Sequence, residues 1–140
     1  MLHASGLVPT RFLTLIAHLI ICITLILSRE DNVKACLPYH HTKEDFHRKD
    51  VELSTGLGVA IGLLVVELIG FLSGVSMFGA PSVTLLSIAA HASASVALAY
   101  FALDVWDCDL YWWIFSFCSA LPALAEICLM IGVLGMKKAY

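Results

Sequence analysis

Four ionisable side chains stand inside long apolar stretches of this sequence: His18, Glu67, His91 and Glu126. A charged group at membrane depth costs roughly 3 kcal/mol on insertion scales, so such residues usually face a helix-bundle interior and mark function. The carboxyl groups can share hydrogen bonds with the imidazoles as a structural lock. They can also pass protons or ions. Two histidines with two carboxylates can hold zinc or iron.

The structural interpretation of these four residues is favoured. A metal site in a helical bundle usually takes two ligands three or four residues apart on one helix, and this sequence offers no such pair. We therefore assign no metal and no cofactor. A small ion or proton transporter or channel that uses the four residues is the alternative function.

The elements that must position these residues are four apolar stretches, at residues 9–27, 53–78, 83–103 and 111–134. Each is long enough for a helix that crosses the hydrocarbon layer, which takes roughly 20 residues. Hydrophobic residues make up 60% of the chain and charged residues 14%, whereas soluble domains have about 45–50% and ~25%. The pattern predicts an all-α membrane protein, with four transmembrane helices in a compact bundle that forms one domain, residues 1–140.

Charge and motifs exclude several function classes. The net charge is -3 and no basic run occurs, so the expected partner is the lipid bilayer and not nucleic acid. No GxSxG, HExxH or phosphate-binding loop is present. We predict a protein with no catalytic residues that is not an enzyme.

The loop at residues 28–52 is the only sizeable connection. Within it, Thr42 and Asp45 have the spacing of a capping box, which predicts a helix start at this point. Cys36 in this loop and Cys108 in the third connection lie on the same side of the membrane. They can form a disulfide if that side is lumenal or extracellular, which favours cytoplasmic termini. Two unbonded thiols are the alternative.

Small residues indicate where the helices pack. Small side chains let helix backbones approach closely in lipid, and the expected packing positions are Gly58, Gly62, Gly70, Gly74, Ala90 and Ala94. At ~1.5 Å per residue, the four ionisable residues fall near one depth, which favours a compact bundle. We expect the Gly70/Gly74 face or the outer alanine face of the third helix to bind partner helices, and a homo-oligomer is possible.

Four segments resemble one known family: residues 6–15, 66–78, 91–98 and 115–123, together with the ending Lys137-Lys138. They are similar to the transmembrane protein 107 family over essentially the whole chain. This resemblance implies a component of the Meckel-syndrome module at the ciliary transition zone. It implies partners among tectonics, B9-domain proteins and other small ciliary membrane proteins, and roles in cilium assembly, ciliary membrane composition and Hedgehog signalling.

Overall fold

The computed structural model describes residues 4–76 and 81–138. No strand occurs in these two ranges, and the helices are α1 Ala4–Ser28, α2 Glu30–Ala35, α3 Lys43–Leu72, α4 Pro81–Leu103, α5 Tyr111–Phe115 and α6 Leu121–Lys138. A 3-10 turn, Cys108–Leu110, precedes α5, and a π-helical stretch, Ser116–Ala120, joins α5 to α6. We call the continuous segment Cys108–Met136 the fourth span.

Four segments of this structure are long and apolar enough to cross a bilayer: Gly6–Ser28, Lys43–Leu72, Pro81–Leu103 and the fourth span. The predicted all-α, four-span fold is therefore confirmed, and the chain is a multi-pass membrane protein. Helix α1 packs between α3 and α4, and the fourth span packs against the same two helices from the other side. The four spans thus surround a common interior.

Each of the first three spans buries one stripe of side chains. Along α1, α3 and α4 the buried positions recur at alternating intervals of three and four residues: Arg11, Leu15, His18, Cys22 and Leu25; Leu53, Leu57, Ala60, Leu64, Glu67 and Phe71; Thr84, Ser87, His91, Ala94, Leu98 and Phe101. Alternation of three and four keeps one face toward its neighbours when helices cross at a small angle. The polar side chains of these stripes are therefore buried because their positions fall on the inward face of each helix.

The helix of the second span starts at the predicted capping box and ends earlier than predicted. It starts at Lys43, because Thr42 accepts a hydrogen bond from the backbone N–H of Asp45 and completes the predicted capping box. It ends at Leu72, whereas the prediction ran to residue 78. Gly74 takes a left-handed φ of +79°, which stops the helix. Residues 77 and 78 lie outside the described residues.

The fourth span contains a π-helical stretch just before Pro122. Proline has no N–H to donate, so a regular hydrogen bond is missing at this point, and the N–H of Leu121 bonds to the carbonyl of Ser116. A π stretch inserts one extra residue per turn and so rotates the helix beyond it. Tyr111 and Ser119, on the two sides of this adjustment, are both buried.

Candidate functional site: a buried polar network

Arg11 is the largest fully buried side chain in the structure, with 1% of its surface exposed. Its Nη2 donates to Glu126 Oε2 at 2.7 Å and its Nε donates to Ser87 Oγ at 3.1 Å. Its Nη1 donates to the carbonyl oxygen of Ser76 at 3.2 Å. The guanidinium also lies over the Phe71 ring, 5.6 Å from its centroid. One side chain of α1 thus connects the fourth span, α4 and the turn that follows α3.

A second group lies deeper along the helices and joins α1, α4 and α3. His18 Nδ1 and His91 Nδ1 are 2.9 Å apart, and His91 Nε2 is 3.0 Å from Glu67 Oε2. All three side chains are at most 1% exposed. We call these three residues the His–His–Glu triad. His91 stands at its centre and uses both ring nitrogens.

Two buried carboxylate oxygens stay without a partner. Glu67 Oε1 and Glu126 Oε1 form no hydrogen bond within the part of the chain that the structure describes. Gly70 stands beside one of them, because a Cβ at that position would lie 3.0 Å from Glu126 Oε1 and 3.0 Å from Met130 Sδ. Because Gly70 has no side chain, the Glu126 carboxylate can lie close to the α3 backbone at this position.

The structure divides the four sequence-predicted residues between two layers. His18, Glu67 and His91 are connected in the triad, whereas Glu126 is bound by Arg11. Arg11 was not among the predicted buried residues, although it lies near the start of the predicted first span, residues 9–27. The signal was present: Arg11 precedes Leu15 by four residues and His18 by seven, which is the spacing of the buried stripe.

The predicted packing residues fall in three different places. Gly70, Ala90 and Ala94 are buried in the bundle. Gly58 and Gly62 face outward, where an added Cβ would meet no described atom within 4 Å. Gly74 is not on a helix at all, because α3 has already ended. The prediction of a Gly70/Gly74 helix face for partners is therefore wrong, since one residue faces inward and the other lies in the turn.

The loop end of the bundle is cross-linked. Cys36 and Cys108 form a disulfide with Cα atoms 5.6 Å apart. The Asn32 amide donates to the carbonyl oxygens of Phe101 and Trp106 at 2.7 and 2.9 Å, which fixes α2 over the end of α4.

Two ion pairs join the same region: Arg29 with Asp50 and Lys49 with Asp109, at 2.7 and 2.8 Å.

Ligand atoms of Cys36, Asp107, Cys108 and Asp109 lie within 4.8 Å of one another, as a metal site requires. The two sulfurs are bonded to each other and Asp109 is held by Lys49, so these groups already have partners. The disulfide and the Lys49–Asp109 ion pair connect the loop at residues 28–52 and the start of α3 to the third connection.

Comparison with known proteins identifies relatives along nearly the whole chain. The family described as TMEM107, transmembrane protein, matches residues 7–130. A transmembrane protein 107 from Homo sapiens is 54% identical over 136 residues, which are 97% of this chain and 96% of that protein. The one from Mus musculus is 57% identical over 134 residues, or 96% and 95% of the two chains. The one from Danio rerio is 48% identical over 128 residues, or 91% and 94%. No solved structure matches the chain.

Proposed function

The chain belongs to the transmembrane protein 107 family, and from that premise we propose that it is a non-enzymatic membrane scaffold or adaptor of the ciliary transition zone. In this role it supports cilium assembly, gating of the ciliary membrane and Hedgehog signalling. It acts by lateral association with tectonics, B9-domain proteins and other small membrane proteins of that zone. The ciliary part of the proposal rests on the family resemblance described for its sequence.

One observation carries the scaffold proposal: the ionisable side chains Arg11, His18, Glu67, His91 and Glu126 are turned inward and bonded there. Arg11 uses all three guanidinium nitrogens on partners from other segments, and His91 uses both ring nitrogens. The outward faces carry large apolar side chains such as Ile20, Ile69, Val96 and Leu124. A bundle whose interior polar side chains bond to one another, and whose exterior is apolar, is suited to contacts with lipid and with other helices.

The outward side of α3 offers a place for such contacts. Gly58 and Gly62 stand one turn apart with open space beside them, and Val59, Val65 and Val66 flank them on the exposed surface. Close approach of two backbones at a GxxxG pair with branched neighbours is a common mode of helix association in membranes. We assign this face to a transmembrane helix of another transition-zone protein.

The test is to fill this space in the full chain. Gly58→Leu with Gly62→Leu should leave the abundance of the protein near that of wild type but reduce its co-purification with transition-zone membrane proteins several-fold. The matched control is Val96→Leu, an equally outward position on α4. The proposed face is wrong if the double leucine variant co-purifies with the same partners at wild-type levels.

A transporter or channel is the second candidate, favoured by the continuous hydrogen-bonded chain from His18 through His91 to Glu67. Reconstituted vesicles distinguish the two functions. A transporter predicts ion or proton flux that Glu67→Gln abolishes in a folded protein. The scaffold proposal predicts no flux above protein-free vesicles for wild type or variant.

We also propose that both termini are cytoplasmic. Disulfides persist in lumenal and extracellular compartments, and Cys36 and Cys108 share the side of the membrane opposite to the termini. Their bond supports this orientation. A protease-protected tag in the loop at residues 28–52, together with accessible terminal tags, is the expected result in sealed vesicles.

A further inference from the structure

A cavity of about 380 Å³ opens at the loop end of the bundle, where α1, α2 and α3 meet. Its lining combines three charged side chains with two apolar ones: Leu27, Arg29, Glu30, Phe46 and Asp50. Cavities that hold small ligands in proteins measure about 300–1,000 Å³, so this one is large enough for a ligand. The polar network inside the bundle contributes none of these residues.

The cavity lies at the level where the apolar parts of two spans end. Leu27 is the last apolar residue of α1 and is 83% exposed, so its side chain faces lipid. On α3, Glu52 is the last charged residue before the apolar part of the span, and Asp50 stands just before it. The polar headgroups of a bilayer flank the hydrocarbon layer at this level. A lipid headgroup is therefore the molecule that this cavity meets first.

Arg29 is held in one position and still has donors to offer. Its Nε and Nη2 donate to the two carboxylate oxygens of Asp50 at 2.7 and 3.0 Å, and its Nη1 donates to the carbonyl oxygen of Ile26. These contacts use three of the five N–H groups of a guanidinium. The other two, one on each terminal nitrogen, form no hydrogen bond among the described residues. Two such parallel donors match two oxygens of a phosphate group.

The charges around the cavity suit a ligand that carries both signs. The lining has one guanidinium and two carboxylates, and Lys34, which lies outside the lining, binds Glu30 at 2.7 Å. The cavity therefore lacks the excess of positive charge that attracts anionic lipids. The carboxylate of Glu30 and the ring of Phe46 both attract an ammonium group, the ring through its negative face.

We propose that this cavity binds the headgroup of a zwitterionic phospholipid, with phosphatidylcholine as the model ligand. The phosphate accepts the two remaining N–H groups of Arg29, and the ammonium group lies against Glu30 and Phe46. An acyl chain then follows the exposed side chain of Leu27 into the hydrocarbon layer. This inference does not depend on the scaffold function.

Native mass spectrometry of the full chain, purified with equal amounts of phosphatidylcholine and phosphatidylglycerol, tests the proposal. We expect the wild type to retain phosphatidylcholine in preference to phosphatidylglycerol. Arg29→Lys keeps a cation beside Asp50 but removes the paired donors, so it should reduce the retained phosphatidylcholine several-fold. The matched control is Arg48→Lys, at an exposed arginine outside this cavity. Equal retention of phosphatidylcholine by wild type and Arg29→Lys, or of both lipids by wild type, would overturn the proposal.

Glu30→Gln tests the charge balance and leaves the Arg29–Asp50 pair in place. The Glu30 side chain is 70% exposed, so the fold should tolerate the change. Loss of this carboxylate leaves an excess of positive charge, and we expect the retained lipid to shift toward phosphatidylglycerol. Glu44→Gln, at an exposed carboxylate outside the cavity, should keep the wild-type ratio of the two lipids. An unchanged ratio in Glu30→Gln would contradict the proposed position of the ammonium group.

Discussion

At the scale of single residues, buried polar side chains hold the interior of this bundle together. Apolar surroundings predicted the burial of His18, Glu67, His91 and Glu126. Their connections were not predictable, because hydrogen-bond partners depend on helix rotation and on Arg11. That arginine stands near the start of a long apolar stretch, where basic residues usually flank the membrane. The tertiary structure instead draws it inward toward Glu126.

The Arg11–Glu126 pair is testable by a double-mutant cycle. Arg11→Met leaves the Glu126 carboxylate buried without its cation, so we expect a loss of about 3–5 kcal/mol in the free energy of unfolding. Glu126→Met should be similarly harmful. The double variant should recover most of the loss, because neither charge is then isolated. Unfolding in detergent measures all four proteins, and additive losses in the double variant would show that the pair does not act as a unit.

Two glycines on one helix provide a matched comparison of inward and outward positions. Gly70→Ala should destabilise the protein, because its Cβ would lie 3.0 Å from both Glu126 Oε1 and Met130 Sδ. Gly62→Ala should be neutral or stabilising by up to about 1 kcal/mol, since alanine is the better helix former and nothing described lies within 4 Å. Thermal unfolding of the two variants decides this. The opposite order of stabilities would mean that α3 presents the other face to the bundle.

At the scale of elements, the sequence predicts where helices begin better than where they end. The capping box at Thr42 has a local mechanism and the structure contains it. The end of α3 was predicted too late, because residues 73–78 are mostly apolar or small and resemble a continuing span. Only the left-handed φ of Gly74 reveals the stop. The π stretch before Pro122 was also unpredictable, since a proline inside a span can be accommodated in several ways.

The disulfide gives a prediction at this scale. The bond between Cys36 and Cys108 spans 72 residues of sequence, so chain-entropy reasoning assigns it up to about 4 kcal/mol. Cys36→Ser should lower the unfolding temperature and abolish the mobility difference between reduced and non-reduced protein. Cys128→Ser, at an exposed free cysteine, should change neither. Labelling of Cys36 by a thiol reagent without prior reduction would contradict the bond.

At the scale of the whole molecule, the two ends of the bundle are fastened by different chemistry. Arg11 connects the segments near the termini, and the disulfide with Asn32 fastens the loop end. The four-span architecture and the burial of its ionisable residues followed from length, hydropathy and spacing. Which glycines face outward did not, because an outward glycine and an inward glycine look alike in sequence. The fold is therefore a four-span bundle with bonded polar side chains in its interior and large apolar side chains on its exterior.

The position of a tagged full-length chain in a ciliated cell decides whether the protein is a component of the transition zone. Super-resolution imaging against markers of the basal body and the ciliary shaft is the measurement. The scaffold proposal predicts a narrow zone at the ciliary base, between the two markers. A chain spread evenly along the ciliary shaft, or confined to membranes away from the cilium, would contradict it.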